Sequence, residues 1–342
     1  MTTTKTTKST TSTMKAVVQV GYGPPERVLK MQEVDRPTVG DEDVMVAVRA
    51  TSVNTPDWIA VTGTPYILRL QSGLRGPKSQ VRGTDVAGAV EAVGSKVTDF
   101  RPGDEVFGSA WAGSQATPGT FAEFTVVPAS QLVVKPLNVT FEEAAASVMS
   151  GITALIAMRD VGKVAPGSHV LINGASGGVG TLAVQIAKAL GAEVTGVSST
   201  KNLEFVRSLD ADHVIDYTRE DFTLGESRYD VILDNVMNHP PSVTSRVLTP
   251  AGMLIPNSIG NSGGLMAGLM RGARAALLAR GSTNVKFVNC VVNREHLDAL
   301  VTLLRSGEVK VPIDKTYPLS DAADAVAHML GHHARGKVAI SV

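Results

Sequence analysis

Val170-Leu171-Ile172-Asn173-Gly174-Ala175-Ser176-Gly177-Gly178-Val179-Gly180 decides how this chain is read. An apolar run enters a glycine-rich turn, and the turn opens into a segment with one apolar face. Val179, Leu182, Ala183, Ile186, Ala187 and Leu190 recur at i, i+3, i+4, i+7, i+8 and i+11, which is helical spacing. Strand, turn and helix in that order make a dinucleotide-binding unit. Glycines at 174, 177 and 180 permit positive φ and close backbone approach, while the helix start offers free N–H donors to a pyrophosphate. Glycine spacing alone is weak evidence, and the flanking strand and helix give it force. The expected pyrophosphate contacts are Gly174, Ala175, Ser176, Gly177, Gly178 and Val179.

Working outward, the text after Phe141 alternates apolar strands near 168–173, 192–197, 213–217, 229–236, 252–257 and 285–292 with helical segments. Such alternation predicts an α/β fold with a doubly wound parallel sheet. From Met14 to about Asn138 the pattern is short strands and turns, with Val44, Val46 and Val48 alternating with Met45, Ala47 and Arg49. Past residue 293 a helix carries Leu297, Leu300, Val301 and Leu304 on one face, and a second is expected to be capped by Ser320 and stopped at Gly331. Residues 1–13, MTTTKTTKSTTST, hold no apolar run and read as a disordered leader. Gly264 to Arg280 is apolar, but Arg271, Arg274 and Arg280 interrupt it short of the ~20 residues a membrane span needs, so an amphipathic helix is expected.

The chain has 342 residues and 43% hydrophobic content, enough for two domains. Acidic and basic residues balance at 32 each, which gives no reason to expect nucleic acid or an anionic membrane as partner. The single cysteine, Cys290, excludes an intrachain disulfide and any zinc site built on several thiolates, and a reducing cytoplasm is the expected compartment.

Gly88-Ala89-Val90-Glu91-Ala92-Val93-Gly94, then Val97, Phe100 and Pro102-Gly103-Asp104-Glu105-Val106, resemble the N-terminal domain of the medium-chain dehydrogenase/reductase superfamily. The resemblance spans nearly everything after residue 14. It implies a GroES-like, mostly-β substrate domain formed by 14–138 and 288–342, with a Rossmann domain, 139–287, inserted between them and the active site in the cleft. It also implies a homodimer, with the stretch near 285–292 as candidate contact. Zinc-dependent members place a cysteine ligand after the strand that here ends in Ser52-Val53-Asn54, and Gly-His-Glu where this chain has Gly83-Thr84-Asp85. Neither ligand is present, and catalytic zinc needs three from Cys, His or carboxylate. His328 and His332 are spaced i, i+4, but Gly331 is expected to end their helix first. Asn54-Thr55-Pro56-Asp57-Trp58, Gly151-Ile152-Thr153-Ala154 and His333-Ala334-Arg335-Gly336-Lys337 resemble the zinc-free, quinone-oxidoreductase-like branch.

Without a Lewis acid, hydride addition to a quinone or an α,β-unsaturated carbonyl is the expected chemistry. The end of the second Rossmann strand, Thr195 to Asn202, holds no carboxylate; Ser198, Ser199 and Lys201 suit a 2′-phosphate instead, so NADPH is the expected cofactor. By resemblance Tyr217 lies against the adenosine end, with Arg335 or Lys337 adding charge there. The ribose is expected near Thr153 and Asn235-Val236, and the nicotinamide beside Ser258-Ile259-Gly260 and the strand carrying Cys290 and Val291. Asn54 is the leading catalytic candidate, since an amide orients a ribose or carbonyl without titrating. Water or Tyr66 delivers the proton. Asp57 reads equally as a helix cap and Cys290 as a small buried apolar residue. Pro65 to Arg82, with Arg69, Arg75 and Lys78, is either a lid or a solvated loop. Two alternatives stay open: a non-catalytic NADPH-binding regulator, and an alcohol dehydrogenase with a recruited metal. An adenosyl-cofactor methyltransferase leaves the β half without a purpose.

Overall fold

The computed structural model describes residues 12–64, 66, 69–74, 76–112, 115–116, 119–258, 270, 273, 277, 284–331 and 334–342. Its centre is a five-stranded sheet in the order His213–Asp216, Glu193–Ser198, His169–Asn173, Tyr229–Asp234, Leu248–Pro256, every pairing parallel. Leu171, Ile172, Ile232, Leu233, Leu254 and Ile255 are all buried, as both faces of a helix-covered sheet require. The helix Gly178–Ala189 starts at the glycine turn and buries Leu182, Ala183, Ile186 and Ala187. Strand order reverses between His169–Asn173 and its two neighbours, and open parallel sheets bind ligands at that point.

A capping box begins the helix Phe141–Leu155: the Thr140 N–H donates to Glu143 Oε2 at 2.9 Å and the Glu143 N–H to Thr140 Oγ1 at 3.2 Å. With the π turn Ile156–Val161 it is 21 residues long and apolar enough to cross a membrane, yet 78% of that apolar window is buried within the protein. It is the central core helix. Ile152 and Leu155 join one cluster with Ala50, Ala87 and Phe107 of the β half, and with Leu182 and Leu300 from the other side.

The second sheet runs Ile313–Pro318, Lys337–Ser341, Asp43–Ser52, Asp85–Val93, Glu105–Ser109, Leu132–Val134, with Phe124–Pro128 also paired to Asp43–Ser52. The last strand of the chain therefore lies against one of the first, with Ala339 opposite Ser52. Just before it, the Gly336 N–H donates to Ser176 O at 2.9 Å, tying the chain terminus to the glycine turn.

Three local expectations are corrected. Of the stretch expected as a strand at 285–292, only Val285 bridges, to Leu254; residues 286–292 carry no strand ladder among the described residues. Ser320 lies inside the 3-10 turn Leu319–Asp321 and donates to Asp321 Oδ1 at 2.8 Å, so the helix Ala322–Leu330 starts after Asp321 and Ser320 does not cap it. Asp57 is not the cap of the helix Thr55–Thr62. Asn54 is the N-cap residue, and Asp57 reaches back from the first turn to accept the Asn54 N–H at 2.8 Å. Residues 1–11 and most of 259–283, where the leader and the Gly264–Arg280 helix were expected, lie outside the described residues.

Candidate active site between the two domains

At the glycine turn, Gly174 has φ +79°, and a Cβ there would sit 2.9 Å from Val236 Cγ2. A Cβ on Gly180 would meet Gly174 O at 2.1 Å, so both positions need glycine for the turn itself. Gly177 differs: a Cβ on it meets nothing closer than 3.5 Å, so its bareness leaves the helix start open to a ligand rather than relieving a clash.

The neighbouring strand ends carry unfilled hydrogen-bonding capacity. Ser198 Oγ and Asn202 Oδ1 are buried without a partner, while Asn202 Nδ2 donates to Ser176 Oγ at 3.1 Å and so ties the second turn to the first. The Tyr217 N–H donates to Ser198 O at 3.1 Å and its ring is exposed. Ser199 is half-buried, Lys201 is exposed, and the exposed Arg335 guanidinium lies 5.7 Å from the centre of the Phe205 ring. On the other side, Asn235 donates through Nδ2 to Asn173 O at 3.2 Å and accepts Asn257 Nδ2 at 2.7 Å. The Val236 N–H is held by Asp234 Oδ1 at 3.1 Å. Orphaned polar atoms beside an open helix N-terminus fit the ribose hydroxyls and phosphates of a dinucleotide. Ser258 is half-buried; Ile259 and Gly260 lie outside the described residues.

Where the two domains meet, the polar groups are paired with each other. Lys337, 3% exposed, donates from Nζ to Asn54 Oδ1 at 2.5 Å, and its stem lies against the turn, 3.1 Å from where a Gly178 Cβ would be. Asn54 Nδ2 donates to Asp85 Oδ2 at 2.7 Å and to Thr84 Oγ1 at 3.1 Å, and Ser52 Oγ also donates to Asp85 Oδ2 at 2.7 Å. Asp85 Oδ1 is buried without a hydrogen-bond partner. Burial pushes the Asp57 carboxyl up to about 7, against the pull of the Asn54 N–H. Burial likewise raises Asp85 and lowers Lys337, each opposed by the charge of the other. Nearby, Thr153 Oγ1 donates to Met149 O at 2.7 Å, and Cys290 Sγ lies 3.8 Å from the same oxygen. Burial raises the Cys290 thiol above its ordinary range, which favours the protonated form over a thiolate.

Residues 40–137 match the family described as the alcohol dehydrogenase GroES-like domain, and residues 209–340 match that described as zinc-binding dehydrogenase. The chain is 32% identical over 341 residues to the chloroplastic quinone oxidoreductase QR1 of Triphysaria versicolor, covering 96% of this chain and 98% of that one. It is 31% identical over 364 residues to the mitochondrial NAD(P)H oxidoreductase RTN4IP1 of Mus musculus, covering 98% and 91%. The solved quinone oxidoreductase of Coxiella burnetii aligns with a TM-score of 0.84 at 27% identity, over 97% of this chain and all of that one. This chain belongs to the medium-chain dehydrogenase/reductase superfamily. Within the superfamily it falls in the quinone-oxidoreductase-like branch, as an oxidoreductase with a nicotinamide cofactor.

The superfamily's zinc ligands have no counterpart in the chemistry seen here. The match to the zinc-binding family begins at residue 209, beyond Ser52, Asn54, Thr84 and Asp85. Those four offer two hydroxyls, an amide and one carboxylate, with an ammonium already placed among them, and this donor set does not fit a tetrahedral zinc ion. Among the described residues no group of three or more His, Cys, Asp or Glu is arranged to hold a metal. Both ring nitrogens of His328 are engaged, Nε2 at 3.0 Å from Asp314 Oδ2 and Nδ1 at 3.1 Å from Tyr317 Oη.

Two expected roles change. Lys337 does not take the place expected for it at an adenosine end beside Tyr217: its ammonium is turned inward to Asn54, because its strand enters the sheet beside Asp43–Ser52. Tyr66 is 66% exposed, with the Arg69 guanidinium 4.6 Å from its ring and 4.3 Å from that of Tyr22, and the structure does not join it to the Asn54 network. Val291 is exposed, and Cys290 is in hydrogen-bonding contact with Thr153. Asp85 is the residue that sequence reasoning passed over. Its signal was a carboxylate standing where zinc-dependent relatives carry a metal-binding motif.

Proposed function

We propose that this protein uses NADPH to reduce a quinone or an α,β-unsaturated carbonyl compound without a bound metal ion. The observation that carries this reading is the Lys337–Asn54 pair, a buried ammonium and amide at the domain interface where a metal-dependent relative needs ligands. When bound, the dihydronicotinamide supplies the hydride.

The chain's own residues bind and orient. Backbone N–H groups from Gly174 to Val179 hold the pyrophosphate, while Ser198, Ser199, Lys201 and Arg335 receive the 2′-phosphate beside Tyr217. Thr153, Asn235 and Val236 flank the ribose, and Ser258, Cys290 and Val291 border the nicotinamide end. Asn54 is fixed in one amide orientation by Lys337 on its oxygen and by Asp85 and Thr84 on its nitrogen. That lock holds positive charge at the face where an enolate or quinolate oxygen develops, and preorganised charge of this kind acts strongly in a water-poor site. Water entering the cleft completes the reduction with a proton. A homodimer is part of this reading, since Phe287 and Val291 are exposed apolar groups on a segment without a ladder partner.

The test follows the near-ultraviolet absorbance of NADPH with simple quinones and enones, before and after treatment with a chelator, alongside elemental analysis. The reading expects turnover that survives chelation. Tight NADPH binding with complete inertness would favour the regulator alternative, and stoichiometric zinc with loss of turnover on chelation would favour the alcohol dehydrogenase.

A further inference from the structure

The second Rossmann strand ends without an acid, but folding brings one in from the strand beside it. Asp216 ends His213–Asp216 directly in register with Ser198, one interstrand spacing away, about 4.8 Å. A carboxylate there is within reach of the place where an NAD-selective site presents its acid to the ribose. In this chain it is not on offer. Oδ2 accepts Thr200 Oγ1 at 2.5 Å, and Oδ1 accepts the Thr218 N–H at 3.0 Å and Thr218 Oγ1 at 2.7 Å. The exposed Arg219 lies with Nε 3.8 Å from Oδ2, and the Asp216 side chain itself is only 9% exposed. The Thr200 hydrogen bond, with help from Thr218 and Arg219, holds the carboxyl below its ordinary range, so it is ionised at neutral pH.

We propose that Asp216 determines cofactor specificity, and that a clamp of Thr200 and Thr218 withdraws its carboxylate from the adenosine ribose. The inference rests on the NADPH reading above. Thr200 also opens the 3-10 turn Thr200–Asn202 that carries Lys201, and its hydroxyl lies 3.0 Å from that of Thr218. The same hydrogen bonds that occupy the acid therefore seat the lysine. With the acid engaged and Arg219 offsetting its charge, the turn presents cation and hydroxyls to a 2′-phosphate. With the hydroxyls removed, the freed carboxylate accepts ribose hydroxyls and repels the phosphate.

The experiment measures dissociation constants of NADPH and NADH by calorimetry for wild type, the Thr200→Val/Thr218→Val double variant, and the same double variant carrying Asp216→Asn. The double variant is expected to move the NADPH/NADH preference toward NADH by about five- to tenfold, the scale of one hydrogen bond. Adding Asp216→Asn should return the preference toward wild type, which a merely damaged turn would not do. An unchanged preference in the double variant, or no reversal on adding Asp216→Asn, overturns the clamp. A wild type with no NADPH preference counts against the proposed function alone, because the clamp is judged by the shift between variants.

Discussion

The two ends of the cleft treat hydrogen bonds in opposite ways. At the glycine-turn end Ser198 Oγ and Asn202 Oδ1 are buried with nothing to bond, beside an open helix start. At the domain interface Lys337, Asn54, Asp85 and Ser52 are bonded to one another, and only Asp85 Oδ1 is left over. A binding surface holds capacity in reserve for its ligand, because unpaired buried groups are costly until something fills them. A positioning network spends its capacity internally, so that one geometry persists while substrates come and go.

The contrast breaks most severely at Lys337. Lys337→Met leaves Asp85 buried without its cation and removes one of the two cations, with Arg82, that act on Asp57, and the expected loss is about 3–5 kcal/mol in denaturant unfolding, together with a fall in turnover. Next in size is a pH effect. Asp57 is raised in the folded protein from an ordinary value of 3.8 to about 7, so the folded state binds the proton more tightly than the unfolded state between those limits. Its contribution to stability is present below the unfolded value and is lost as pH rises through about 7. The unfolding free energy from urea titrations should fall over that window by an amount on the order of a few kcal/mol, and Asp57→Asn should flatten the slope. At the open end, Gly177→Ala should leave the unfolding midpoint unchanged, since a Cβ there clears its neighbours by 3.5 Å, yet weaken NADPH about tenfold by filling the ligand's space. Lys201→Ala should weaken NADPH by about fivefold in calorimetry with NADH unaltered, an exposed and partly screened charge. The smallest change belongs to Tyr66→Phe: turnover with a quinone should stay at the wild-type rate, and a large loss would restore this residue as proton donor.

The same contrast explains what could be read in advance. The glycine turn was legible because strand, turn and helix are contiguous, so 170 to 190 carries the whole unit in one stretch. Asn54 was legible as a candidate, but its contact was not: Lys337 is 283 positions away and meets it only through sheet pairing. Asp216 was not legible for a similar reason, since the strand expected to end in an acid has none and the carboxylate comes from its neighbour. The stretch 285–292 misled because Val285, Phe287, Val288, Val291 and Val292 have strand composition, yet apolar content reports a tendency to be covered and pairing needs a partner. Val285 and Val292 are buried while Phe287 and Val291 are not.

The return of Lys337–Ser341 to the side of Asp43–Ser52 has a consequence for how the protein is made. Until residues 337–341 have emerged from the ribosome, Ala50–Ser52 of the second sheet lack their partner strand and Asn54 lacks Lys337, however long ago the other strands emerged. Completion of the sheet built on Asp43–Ser52 thus waits on a strand made much later, and a nascent chain stalled before that strand emerges would expose the unpaired Ala50–Ser52 edge to aggregation or chaperone capture.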